Sequence, residues 1–145
     1  MTFSIVGRCA ETGQLGIAIS SSSIAVGARC PWLRPGVGAV ATQNITLPAL
    51  GPQVLEHLEF GLTPALALDR TLTRNGYNQF RQLSAIDHLG RTAHFTGSET
   101  LGAHALAGEQ CVGAGNLLAS AGVVEALVHC FENSGGQLAD RKSVV

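Results

Sequence analysis

The sequence predicts an α+β fold in which helices cover antiparallel sheet. Three observations carry this. Short β-prone runs come in pairs joined by glycine turns, and helical periodicity comes in blocks between those pairs. Strands and helices do not alternate one for one, as a doubly wound parallel sheet requires. The predicted order is β-hairpin, β, α-α, β-hairpin, β, α.

Residues 3–9 alternate loosely and are β-branched at Ile5 and Val6. A turn cluster around Gly13 leads into residues 15–20, and the two runs read as a hairpin. Four serines follow at 20–23. Pro31 and Pro35 then fence a loop before a third strand at residues 37–42. From residue 52 to 60 the period changes, and Val54, Leu55 and Leu58 fall on one side. Thr63-Pro64 reads as an N-cap with proline at N1, opening a helix that carries Leu66, Leu68 and Leu72 and stops at Asn75-Gly76. Residues 82–87 and 91–97 form a second hairpin through His88-Leu89-Gly90. Residues 111–119 are apolar and glycine-rich, a strand ending in a tight turn at Gly115-Asn116. From about Ala121, the spacing of Val124, Leu127, Val128 and Phe131 is helical, and residues 137–141 begin another helix.

Composition bounds the function. One domain spanning 1–145 is expected, with 46% apolar and 13% charged residues, a balance too hydrophobic for disorder. A net charge of −1 gives no basic stripe, so no nucleic-acid partner is expected. There is no basic segment leading into an apolar one, and no run approaches ~18 apolar residues, so no membrane partner is expected. Cys9, Cys30, Cys111 and Cys130 form no C-x-x-C pair and read as reduced, buried side chains of a cytoplasmic protein.

The candidate chemistry begins at MTFSI. Thr2 is small enough for aminopeptidases to strip Met1, leaving a hydroxyl and a free α-amine on one residue. Such an amine titrates near pH ~8 and is a recognised base for a threonine nucleophile. On local physics alone Thr2 is simply the start of a strand. The serines read first as a strand-to-loop transition, with Ser21 a candidate to support a site. Gln43, Asn44 and Asn116 sit at strand ends, where amides orient a carbonyl or oxyanion and equally serve turns. His94 reads first as a buried structural histidine and second as a site group. GVGAV and VGAGN are not phosphate loops and read as close packing and a tight turn. No H-x-x-x-H or H-E-x-x-H occurs, and neither metal nor cofactor is expected.

The segment MTFSIVGRCAETGQLGIAISSSSIAVGARCPWLRPGVGAVATQ, with IDHLGRTAHFTGSE and GAGNLLA, resembles the DUF1028 family, related to the N-terminal-nucleophile (Ntn) hydrolases. The resemblance runs to about Arg141. It implies an αββα sandwich of two antiparallel sheets flanked by helices. It also implies Thr2 as catalytic nucleophile for a small amide or cyclic amide. Ser21, Gln43, Asn44, His94 and Asn116 are the candidate substrate-binding residues on their positions in the sequence, not on the resemblance. Family members continue past residues 138–141 with more helix and closing strands, where this chain has KSVV. The expectation is therefore a domain truncated after about 141 or completed by a partner, and a homo-oligomer formed through an exposed sheet edge. Two other classes remain open. One is a non-catalytic ligand-binding or assembly protein on the same scaffold. The other is a cysteine hydrolase using Cys9 or Cys111.

Overall fold

The computed structural model describes residues 1–142. KSVV therefore lies, from residue 143 on, outside the described residues. Among the described residues eight strands form two antiparallel four-stranded sheets, accompanied by four α-helices. The first sheet holds β1 (Thr2–Arg8), β2 (Leu15–Ser21), β7 (His104–Gly108) and β8 (Cys111–Asn116) in the order β2-β1-β8-β7. The second holds β3 (Pro31–Arg34), β4 (Gly38–Asn44), β5 (Arg81–Asp87) and β6 (Thr92–Thr96) in the order β3-β4-β5-β6. The helices are α1 (Leu50–Glu59), α2 (Pro64–Thr73), α3 (Gly122–Asn133) and α4 (Leu138–Lys142).

Period-two alternation sorts side chains into three cores. Val40, Leu83 and Ala85 point outward from the second sheet and meet Leu50, Val54, Leu58 and Leu68 of α1 and α2. Ile5 and Cys111 point outward from the first sheet and meet Val128, Phe131 and Leu138 of α3 and α4. Between the sheets, Val6, Ala39, Ala41, Ile86 and Val112 pack together. Small side chains let the layers approach. A Cβ at Gly38 would stand 2.6 Å from the Ile86 carbonyl oxygen, and one at Gly7 would stand 2.6 Å from the Phe131 ring.

Most predicted elements lie within a few residues of the observed ones. Thr63 caps α2, its Oγ1 accepting from the Leu66 N–H at 3.4 Å, with Pro64 at the first position. α1 begins two residues earlier than predicted, with Pro52 in the first turn, where no intrahelical N–H is needed. Three differences are corrections. The proline-fenced loop contains β3, an edge strand with Pro31 as its first residue, which is where a sheet tolerates proline. β7, sequence HALAG, is an edge strand without β-branched residues. Gly115 and Asn116 belong to β8, and the turn starts at Leu117.

Candidate functional site

Because β1 starts at Thr2, alternation sends Thr2, Ser4 and Val6 into the space between the sheets. At Val6 that space is apolar. One step toward the N-terminus it turns polar. Ser4 Oγ donates to Gln43 Oε1 at 2.8 Å, and Gln43 Nε2 donates to Gln82 Oε1 at 2.8 Å. Asn116 Nδ2 donates to the same Gln82 oxygen at 3.1 Å. Gln82 Nε2 donates in turn to the Gly115 carbonyl at 2.9 Å, with Thr96 Oγ1 at 3.2 Å. Ser4, Gln43, Gln82 and Asn116 are all buried. They come from β1, β4, β5 and β8, so the network bolts one sheet to the other. Buried amides are costly without partners, and a satisfied network of this kind holds its members in one geometry.

Thr2 sits at the outer margin of this network, 9% exposed. Its register partners are Ser21 on one side and Asn116 on the other. Thr2 Oγ1 and Ser21 Oγ share a 2.8 Å hydrogen bond. The carbonyl of Met1, bonded to the Thr2 nitrogen, is held by the Ser22 N–H at 3.1 Å and by the Ser22 and Ser21 hydroxyls at 3.3 and 3.4 Å. Whatever acyl group sits on the Thr2 nitrogen therefore meets a set of donors from the end of β2.

Four of the six candidate residues meet here: Thr2, Ser21, Gln43 and Asn116. Asn44 and His94 do not. Asn44 follows Gln43 in the strand and so faces the other way. Its Nδ2 donates to the Phe80 carbonyl at 2.6 Å and to Thr100 Oγ1 at 3.4 Å, which uses both of its N–H groups in holding loops. With φ at 70° it serves a left-handed turn, a conformation asparagine tolerates. His94 lies on edge strand β6 and is exposed, so the expectation of a buried histidine is corrected. Partial desolvation, and then the neighbouring charge of His104, still push its imidazole below the ordinary value.

Sequence reasoning missed Ser4 and Gln82. The signal for Ser4 was available, since a residue two along a strand shares its neighbour's face. Gln82 is the hub, and nothing local marks it.

The cysteines belong elsewhere. Cys9 and Cys111 pack on the helix side of the first sheet, and burial pushes the Cys111 thiol up to about 12, far from a thiolate nucleophile at neutral pH. Among the described residues, no group of three or more His, Cys, Asp or Glu is placed to hold a metal ion, and no helix is long and apolar enough to cross a membrane. A cavity of about 390 Å³ lies between α2 and β6, and another of about 380 Å³ is lined by Gln14, Leu33, Gly36 and Leu138. Neither is lined by Thr2.

The chain is similar to the crystal structure of protein SPO2555 from Silicibacter pomeroyi, which is itself described with DUF1028. The TM-score is 0.94 and the identity 31%, over 97% of this chain and 63% of that one. The chain thus spans less than two thirds of the length of that relative. No curated protein matches it. The model of DUF1028, a family of unknown function, matches residues 2–142. With that coverage, and with a solved relative of nearly superposable architecture, the chain belongs to the DUF1028 family.

Proposed function

We propose that the protein hydrolyses a small amide or cyclic amide by an N-terminal-nucleophile mechanism, with Thr2 as nucleophile once Met1 is removed. One observation supports this above the others. The Thr2 hydroxyl and nitrogen share one rim of the inter-sheet layer, beside donors on β2 and above a network that fixes Asn116 next to them. The layering of two antiparallel sheets between helices, with Thr2 opening an internal strand, is also what the Ntn-hydrolase resemblance implies.

In this reading the free amine of Thr2 accepts the hydroxyl proton as Oγ1 adds to the amide carbonyl carbon. The developing oxyanion takes the donors that held the Met1 carbonyl, the Ser22 N–H and the Ser21 hydroxyl, or the second N–H of Asn116. The amine passes its proton to the departing nitrogen, the C–N bond breaks, and an ester to Thr2 Oγ1 remains. Water, losing a proton to the same amine, attacks the ester. The acid leaves and the hydroxyl is restored. No cofactor is needed. The same reading takes the protein as cytoplasmic and as a homo-oligomer that covers one of its sheet edges.

One observation favours a second reading, a non-catalytic ligand-binding protein: the two cavities described above lie away from Thr2. Screening an amide library with wild type, Thr2→Ala and Thr2→Ser separates the two. We expect turnover in wild type, none in the alanine variant and a reduced rate in the serine variant. Identical background hydrolysis in all three would establish the binding reading.

A further inference from the structure

Four large apolar side chains stay exposed together at the Thr2 end of the sandwich, while Phe60, Leu66, Tyr77 and Leu89 are exposed on or beside α1 and α2 and in the β5–β6 turn. Ile24 follows β2, Ile45 follows β4, Leu117 follows β8 and Leu101 lies between β6 and β7, and each is more than half exposed. The loops that carry them are fastened. The Leu117 N–H donates to the Leu101 carbonyl at 2.9 Å, and the Leu118 N–H to the Gly102 carbonyl at 3.0 Å. Asn44 reaches Thr100, and Arg81 donates to the Ile45 carbonyl. In residues 22–30, 45–49, 97–103 and 117–121, Arg29 and Glu99 are the only charges.

Leu117 stands out within this rim. It follows Asn116, the register partner of Thr2, and its φ of 52° is left-handed, a conformation bulky side chains resist. Glycine or asparagine would sit there at less cost. The chain instead keeps a leucine and exposes it. Strain held in place by surrounding hydrogen bonds, with an apolar side chain facing solvent, is a mark of functional use.

We propose that this rim selects the substrate, that it takes an amide whose acyl part is an uncharged aliphatic chain, and that Leu117 is the specificity-determining residue. The proposal rests on the reading of Thr2 as nucleophile. Removing an alkyl chain and the rim from water together drives binding. A carboxylate on the acyl chain would lose its hydration there without gaining a partner.

The test uses the Thr2→Ala variant, which binds without turnover, and three probes: hexanamide, acetamide and succinamate. Backbone chemical shifts report where each binds. Hexanamide should bind at least about tenfold more tightly than acetamide, a typical gain from added methylenes in an apolar site. It should shift Leu101 and Leu117, and succinamate should not bind. Adding Leu117→Asn, which keeps the left-handed turn, should remove most of the preference for hexanamide while the shifts of β1 and β8 hold. Equal affinity for hexanamide and acetamide, or rim amides buried in a dimer that excludes hexanamide, would overturn the proposal. Wild-type turnover separates the two claims. Hexanamide bound at the rim but never cleaved would retain the rim and remove the nucleophile. Acetamide and succinamate cleaved as fast as hexanamide would retain the nucleophile and remove the rim.

Discussion

The two ends of the four inner strands differ in what their polar groups do. At the far end Asp87 is buried on the helix side of β5, the face of Leu83 and Ala85, and the fold uses it fully. Its carboxylate accepts from the Leu89 and Arg91 N–H groups at 3.0 and 2.9 Å and from Arg91 Nε at 2.6 Å. The layer beside it is apolar. At the near end the strands bury two glutamines, an asparagine and a serine where hydrocarbon would fit. That network leaves hydroxyls at the margin, with Thr2 among them. A polar group consumed by a turn is structural. A buried polar network that ends in a hydroxyl beside a strand terminus is what the proposed chemistry draws on.

The comparison can be broken first at Gln82. Replacing it with leucine strands the Gln43 and Asn116 N–H groups and the Gly115 carbonyl, at about 1–3 kcal/mol for each buried group left unpaired. Ile86→Val at the apolar end should cost only about 0.5–1.5 kcal/mol. Urea unfolding of both variants checks the contrast, and similar losses would mean that the network contributes nothing special.

Two serines that face the layer sharpen it next. Ser4→Ala removes the donor to Gln43 and should destabilise by about 1–3 kcal/mol. Ser84 Oγ is buried with no hydrogen-bond partner among the described residues, so Ser84→Ala should be neutral or stabilise by up to about 1 kcal/mol. A loss for Ser4→Ala and none for Ser84→Ala is expected in the same unfolding assay.

The smallest effect is on pH. His94 titrates below its ordinary value in the folded protein, so the unfolded chain binds the proton more readily. Its contribution to stability is complete above the ordinary histidine range, near pH ~6.5, and fades as pH falls through the range beneath it. Because His94 is exposed the slope is shallow. His94→Gln should flatten it in unfolding curves between pH 7 and pH 5, and an unchanged slope would assign the dependence to other groups.

Much of this was legible because it is local. The cap at Thr63-Pro64, the glycine turn at Gly13 and the spacing of Val124, Leu127, Val128 and Phe131 each specify their own element. β3 and β7 were hidden because edge strands tolerate what sheet interiors refuse, proline at Pro31 and a run of alanine and glycine in HALAG. Site membership followed the same division. Thr2, Ser21 and Asn116 carry strand-end positions in the sequence. Gln82 reaches Gln43 only through pairing of strands 39 residues apart, and no local pattern encodes that meeting. Asn44 looked equivalent to Gln43 until alternation sent it to the opposite face.

The central claim is that Thr2 acts through an unblocked amine. Intact mass spectrometry of a natively expressed, amide-hydrolysing preparation tests it directly, with the activity followed as Met1-free and Met1-bearing chains are separated. The account predicts that turnover tracks the Met1-free chain alone and that a transient acyl adduct appears on its first residue. Full turnover from chains that keep Met1 would contradict it.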